Sequence, residues 1–303
     1  MTLALVFPGQ GMQHPDMLPW LDADDPLLVS AASRLDVHDW RRSLADPAWA
    51  TDNRHAQHLL SACGIAAWQQ LRPSLPRPVA VAGYSVGEIA AHTVAGVMSP
   101  TVALDFADVR SRAMDACGAD ERGALLGVTG LLLAPVQAVC EREGVFVAIH
   151  NGTDSVVLGG TARRIEAAED ALSRLGAKCT RLNVAVASHT PLMREASVVV
   201  RSWLTGQGLQ RPDLALLANL TATRVRSAQD ACDALSGQIS HTVQWSGCMD
   251  AIHAQGPRCV LELGPGQSLA SLWNRRFADV PARSADEFRS VGALVRWVLS
   301  HQD

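Results

Sequence analysis

The sequence predicts an α/β protein: a parallel sheet of buried strands, interleaved with helices, with a small α+β subdomain inserted in its middle. Three observations predict it. Short apolar runs at 3–7 and 79–82 and the stretch 259–263 read as strands, and each ends at a glycine-containing turn. Helical patterns follow, among them a long one over 101–117 that opens at Ser99-Pro100. From Gly123 to about residue 187 the pattern switches to strand, helix, strand, strand, helix, strand.

Composition bounds the answer. The 303 residues suffice for one large α/β domain with an insertion, or for two domains. A hydrophobic fraction of 48% against 18% charged residues fills a core and argues against disorder. The net charge of −4, from 26 basic and 30 acidic residues, offers no global basic field, so no nucleic-acid partner is expected. No run of about 18 apolar residues is present to cross a membrane. The opening segment Met1-Thr2-Leu3-Ala4 lacks a basic n-region, and no secretory leader is expected. The seven cysteines form no C-x-x-C pair and read as free thiols in a reducing cytoplasm.

In chain order, strand 3–7 is stopped by Pro8-Gly9-Gln10-Gly11, where open α/β sheets hold their ligands. No G-K-[ST] follows, which excludes a P-loop. Residues 13–55 carry short amphipathic pieces at 26–35 and 38–44. A helix over 55–71 has Leu59, Leu60, Cys63, Ala66 and Ala67 on one stripe. Its His55 and His58 lack a third ligand, so a surface pair is expected and no metal site. The insert has strands at 124–130, 146–149, 155–159 and 178–184 and helices at 134–143 and 162–175, with Asn151-Gly152 as its hairpin turn. That order is the ferredoxin-like split βαβ arrangement, which divides the chain into a core, 1–121 and 188–303, and a small subdomain, 122–187. A helix from Ser188 to Leu204, a strand at 214–217, helices at 228–240 and 243–255, the strand at 259–263 and a helix over 285–299 complete the core.

The stretch that carries chemistry is Gly83-Tyr84-Ser85-Val86-Gly87-Glu88, a G-x-S-x-G at a strand-to-helix turn. Its glycines permit the tight bend, and Ser85 Oγ is pushed to a helix N-terminus where amides can hold an oxyanion. The same residues also fit a plain turn in which Ser85 caps the helix. A serine nucleophile needs a base. His92 lies two turns along the helix and cannot fold back, and His301 lies near the chain end. His189 stands between a strand and a Pro-marked helix start, where a loop can aim it; a surface histidine at a cap also fits. No Asp stands out between Ser85 and His189, and the chain runs far beyond the histidine. This fits a Ser–His dyad, with a backbone carbonyl on the second ring nitrogen, better than a hydrolase triad.

Six segments stand in the order and spacing of one family. They are Phe7-Pro8-Gly9-Gln10-Gly11-Met12-Gln13, Gly83 to Glu88, Arg110 to Met114, Ser188-His189, Gln238 to Trp245, and Glu262-Leu263-Gly264-Pro265-Gly266. Over nearly its whole length the chain resembles the malonyl-CoA:acyl carrier protein transacylase family. The resemblance implies an α/β-hydrolase-like core with a ferredoxin-like insert. It implies Ser85 as nucleophile, His189 as base, and the backbone N–H groups of Gln10 and Val86 as oxyanion hole. It implies Gln238 as the residue whose backbone carbonyl orients the base, and Arg110, 25 residues after the serine, as the binder of the malonyl carboxylate. A guanidinium suits that task, being planar, bidentate and always charged. Arg112, about 200° round the same helix, is the alternative, and either arginine also fits a solvated surface. No metal and no permanently bound cofactor is implied. Malonyl-CoA is the implied substrate, and the phosphopantetheine-type thiol of an acyl carrier protein the acceptor.

The departures are informative. Tyr84 and Val86 replace the family's usual His and Leu at the elbow, and His241-Thr242 replaces Asn-Pro. The elbow and the tail 281–290 together resemble the branch that forms the epsilon subunit of bacterial malonate decarboxylase. That branch serves a CoA-like thiol on a small carrier subunit and would add the other decarboxylase subunits as partners. A fatty-acid or polyketide carrier is the alternative, and Ser188 leaves room for a branched acyl group. A serine hydrolase and a non-catalytic, carrier-binding subunit share the same elbow. The absent acidic third member and the arginine oppose the first, and the intact Ser85 and His189 oppose the second. Arg163-Arg164 and Arg275-Arg276 are candidate docking charges for an acidic carrier.

Overall fold

The computed structural model describes residues 2–118 and 121–301; Met1 of the opening segment and residues 119–120 and 302–303 of the predicted core lie outside these. Among the described residues nine strands follow in order: β1 (Leu3–Phe7), β2 (Ala80–Gly83), β3 (Gly123–Thr129), β4 (Phe146–Gly152), β5 (Ser155–Thr161), β6 (Lys178–Arg181), β7 (Leu216–Leu217), β8 (Cys259–Glu262) and β9 (Ala282–Ser284). The first sheet has the order β7-β2-β1-β8-β9, and every pairing in it is parallel. All residues of β1, β2 and β8 are buried, Glu262 of β8 included, as strands between helical layers should be. Their register aligns Phe7 with Gly83 and Val6 with Glu262. The loops at 8–11, 84–86 and 264–266 therefore leave the sheet at one edge, side by side.

Two glycines set the spacing there. A Cβ at Gly83 would lie 2.1 Å from the Gly87 carbonyl carbon, and one at Gly87 would lie 2.2 Å from the Phe7 carbonyl oxygen. Only bare backbone lets helix Gly87–Val94 begin so close to β1 and β2. Helices Asn53–Leu71 and Pro100–Cys117 pack beside it.

The second sheet has the order β4-β5-β3-β6 and is antiparallel, with helices Leu133–Glu143 and Ala162–Arg174 packed on it. This is the predicted ferredoxin-like order. Leu126, Val128, Val156 and Leu158 pack with Val136 and Ile165 in a core of their own, while Leu125, Ile149 and Val157 join the main core. Val243 splices the two sheets: its N–H donates to Ala148 O at 2.9 Å, and its carbonyl accepts from His150 N at 2.9 Å.

Several elements differ from the sequence reading. The hairpin turns at Thr153-Asp154, and Asn151-Gly152 sits inside β4, where an irregular register absorbs the pair. β6 stops at Arg181. Ser188 to Thr190 are not helical, because His189 takes φ 63; a 3-10 turn at Pro191–Met193 precedes helix Arg194–Thr205. Helix Ala228–Gly237 ends early, and Trp245–His253 starts late because Val243 is spent on the splice. The tail holds an unpredicted edge strand, β9, before helix Val291–Leu299. His58 is buried, not part of a surface pair; residues Ala56 to Trp68 are buried all round their helix, and its Nδ1 lies 3.0 Å from Arg54 O.

The elbow's close approach is testable. Gly87→Ala places a methyl against backbone that cannot yield, and should lower stability by about 3 kcal/mol in urea titration. Gly127→Ala, whose Cβ would meet Thr180 O at an ordinary 3.5 Å, serves as the tolerated control.

Candidate active site

Ser85 stands where β2 has ended and helix Gly87–Val94 has not begun. Its φ of 57 is left-handed, which a β-carbon disfavours. A side chain from the neighbouring strand's end holds it there. Asn219 Oδ1 accepts from Ser85 N at 2.9 Å, and Asn219 Nδ2 donates to the Gly83 carbonyl. Asn219 is itself fixed by Glu88, whose Oε1 accepts from Asn219 N at 2.7 Å. Burial pushes the Glu88 carboxyl up to about 8, against the opposing pull of that amide and of Arg110.

Ser85 Oγ lies 2.7 Å from His189 Nε2. The base candidate shares the backbone trick, with φ 63, and its own N–H donates to Ile239 O at 2.8 Å. His189 Nδ1 lies 2.5 Å from the backbone carbonyl of Gln238, the C-cap of helix Ala228–Gly237. A carbonyl can only accept, so Nδ1 carries the proton and Nε2 presents its lone pair to the serine. Burial holds the imidazole down to about 3, and the Arg110 charge pushes the same way; the Gln238 carbonyl opposes both. His189 is therefore neutral at pH 7. Among the described residues no carboxylate lies on His189 Nδ1, whose partner is the Gln238 carbonyl.

Gln10 and Val86 lie on adjoining loops, tied by Tyr84 N donating to Phe7 O at 2.8 Å. A Cβ at Gly9 would stand 3.0 Å from the Tyr84 ring, so these loops touch. Among the described residues neither the Gln10 nor the Val86 amide meets a protein acceptor.

The two arginines separate cleanly. Arg112 is mostly exposed and pairs with Asp108 at 2.8 Å. Arg110 is 1% exposed; its Nη1 donates to Gln57 Oε1 at 2.7 Å, while Nε and Nη2 have no partner. Burial lowers it to about 10, partly offset by Glu88, so it stays charged. An uncompensated buried guanidinium with two free N–H edges is costly to leave unpaired, and a carboxylate is its natural complement.

A cleft of about 960 Å³ adjoins the site at Gln10 and Tyr84, between the second sheet and helix Ser268–Arg276. Lys178, Arg181 and Arg275 line it and make it basic, while Ser85 and His189 are not among its lining residues. Of the candidate docking charges, Arg275 faces this cleft, Arg276 is committed to Asp250 at 2.6 Å, and Arg164 to Gly144 O at 3.2 Å. No group of three His, Cys, Asp or Glu among the described residues could hold a metal, and no helix among them is long and apolar enough to cross a membrane. Sequence reasoning missed Asn219, Gln57 and the part Glu88 plays. The one local signal for Asn219 is a polar residue directly after the apolar run 214–218.

Residues 4–296 match the model of the acyl transferase domain. The chain belongs to the acyl transferase family. It is 31% identical over 291 residues to the malonyl CoA-acyl carrier protein transacylase of Mycobacterium bovis, covering 93% of this chain and 95% of that one. Among solved structures, the malonyl-CoA:acyl carrier protein transacylase of Xanthomonas oryzae superposes with a TM-score of 0.89 at 30% identity, over 99% of both chains. A type II polyketide synthase (PKS) acyl-carrier protein in complex with its malonyl-transacylase matches with a TM-score of 0.89 at 27% identity, over 98% of this chain and 99% of that one. The protein is thus an acyltransferase, and its α/β core with an α+β insert is the fold of that family.

The burial of His189 has a pH signature. A base held down to about 3 keeps its lone pair as the pH falls through 6.5, where an exposed imidazole would be protonated. Labelling of Ser85 by a neutral fluorophosphonate should change less than about twofold between pH 7.5 and 5.5. A drop of about tenfold centred near pH 6.5 would mean that His189 titrates as if in water.

Proposed function

We propose that this acyltransferase moves a malonyl group from malonyl-CoA to the prosthetic-group thiol of an acyl carrier protein, in the cytoplasm, through a malonyl ester on Ser85. The observation that carries the reading is a neutral His189 within 2.7 Å of Ser85 Oγ, beside a buried Arg110 with two unpartnered N–H groups. The names of the relatives support the substrate. On this reading the core, 1–121 and 188–303, supplies every reacting group, and the insert 122–187 walls the cleft through which the thioesters arrive.

His189 Nε2 takes the Ser85 proton as Oγ attacks the thioester carbonyl. The developing oxyanion rests on the Gln10 and Val86 amides, each such donor being worth about 2.7–4 kcal/mol in the transition state. The tetrahedral intermediate collapses, the C–S bond breaks, and CoA leaves with the proton that His189 returns. The carrier thiol then gives its proton to His189 and attacks the ester, and Ser85 recovers its hydrogen as the malonyl thioester departs. The Gln238 carbonyl steadies the imidazolium in both halves. Arg110 holds the distal carboxylate, an interaction that an acetyl group cannot make. The missing acidic partner of His189 and the buried guanidinium weigh against a hydrolase of simple esters.

The carrier is assigned to the malonate decarboxylase branch. Tyr84 and Val86 in the elbow, His241-Thr242 before the splice and the tail 281–290 support that branch over fatty-acid or polyketide carriers. The test compares kcat/KM for transfer to the small carrier subunit of malonate decarboxylase and to a fatty-acid carrier. Preference for the decarboxylase carrier upholds the assignment, and preference for the other would move the protein to lipid or polyketide synthesis.

Intact-protein mass spectrometry after brief mixing with malonyl-CoA should find one malonyl adduct on wild type and none on Ser85→Ala. Arg110→Ala should lose malonyl labelling while acetyl-CoA still labels it. Malonyl on the Ser85→Ala protein would overturn the nucleophile, and unchanged malonyl labelling of Arg110→Ala would overturn the carboxylate site. Gln238→Ala keeps the orienting carbonyl, so its labelling rate should stay within a few fold of wild type.

A further inference from the structure

The tail 281–290, singled out by its sequence, lies against the loop that carries Gln10. Asp286 is the link. Its side chain is 9% exposed and accepts three hydrogen bonds. Oδ1 accepts from Leu18 N at 2.6 Å; Oδ2 accepts from Gly266 N at 2.8 Å and lies 2.9 Å from His14 Nε2. One carboxylate therefore ties the loop that follows β1 to the loop that follows β8.

The 264–266 loop packs against the β1 loop on both sides of Gln10. A Cβ at Gly264 would stand 2.3 Å from Pro8 Cγ, and one at Gly266 would stand 2.8 Å from Met12 Cβ. Pro8 and Met12 flank Gln10 by two residues each, so the position of the 264–266 loop fixes the span that aims the Gln10 amide. The Gly266 amide of that loop is the one Asp286 holds, and Ser284 Oγ donates to its Gly264 carbonyl at 3.4 Å. A carboxylate suits the task because it is acceptor-only and can take both amides at once.

We infer that Asp286 is a positioning residue that sets the Gln10 amide for the transition-state oxyanion, acting through the 264–266 loop. The inference rests on the reading of Gln10 as an oxyanion donor. It predicts a loss in the rate of chemistry rather than in substrate affinity, since the oxyanion exists only in the transition state. A displacement of about 1 Å at such a group can cost about a hundredfold.

The experiment measures single-turnover malonylation of Ser85 by malonyl-CoA, in full-length protein, for Asp286→Ala and Asp286→Asn. The rate constant of that step does not depend on the fraction folded, which appears in the amplitude alone. The expected result is a rate constant about tenfold to a hundredfold lower for Asp286→Ala, a smaller loss for Asp286→Asn, which keeps one acceptor, and a half-saturating malonyl-CoA concentration within about twofold of wild type. Trp20→Phe is the structural control. It cuts the 2.9 Å bond from Trp20 Nε1 to Ala285 O, which joins the same two segments without touching the carboxylate. It should leave the rate constant unchanged while lowering Tm. An unaltered rate constant in both Asp286 variants would overturn the inference, and so would an equal slowing by Trp20→Phe, which would reduce Asp286 to a general tether. Wild-type labelling at Ser85 with no Asp286 effect would sink only this inference; absence of Ser85 labelling in wild type would sink the function on which it rests.

Discussion

Everything at this site hangs from one backbone angle. Ser85 has a left-handed φ, a conformation that costs a residue with a β-carbon about 1–3 kcal/mol and survives only where its surroundings impose it. Asn219 imposes it by bonding both the Gly83 carbonyl and the Ser85 amide with one side-chain amide. Glu88 then fixes Asn219 through its backbone. The elbow therefore depends on a residue 134 positions away, brought in by the short strand β7 at the edge of the sheet next to β2. Without that strand the serine would relax toward a common turn and lose its aim.

The second constraint is charge without water. Arg110, Glu88 and His189 are all buried, and each is shifted toward its neutral form by that burial. Among the described residues Arg110 has one hydrogen-bond partner, Gln57, which is itself held by Asn53 at 2.8 Å, and Glu88 has an oxygen with none. Such a cluster is poorly stabilised as it stands. On the proposed reading one carboxylate against Arg110 completes it, and a preference for a malonyl over an acetyl group comes from the cost of leaving the guanidinium unpaired.

How much of this was legible in the sequence depended on range. The strands β1, β2 and β8 and the G-x-S-x-G turn announce themselves within a few residues, because buried parallel strands are mostly apolar runs and tight turns need glycine. The insert was legible because its helices and strands alternate with clear periods. β9 was not: three residues of Ala282-Arg283-Ser284 carry no period, and only pairing with β8 makes them a strand. Asn151-Gly152 offered a turn signal, but the chain bends at Thr153-Asp154 because β5 pairs with β4 as far as Gly152. His58 looked like a surface residue until two neighbouring helices closed over it. Arg110 and Arg112 are alike in sequence, and only packing separated them. Asn219 and Asp286 act across more than a hundred residues, a distance over which local pattern says nothing.

The insert does more than wall the cleft. His189 emerges from it, and the chain then returns through Gln238 and Ile239 to the splice at Val243. The two backbone contacts that orient His189, from its N–H to Ile239 O and from Nδ1 to Gln238 O, sit four to five residues before that splice. Val243 is hydrogen-bonded to β4 on both of its polar groups, and Thr242 Oγ1 adds a 2.7 Å bond to Val147 O. The Gln238 carbonyl that accepts from His189 Nδ1 thus lies five residues from a backbone joint with the subdomain that borders the cleft. In a protein whose proposed base has no carboxylate behind it, the setting of the imidazole rests on backbone groups, and those groups sit where the second sheet is spliced to the core.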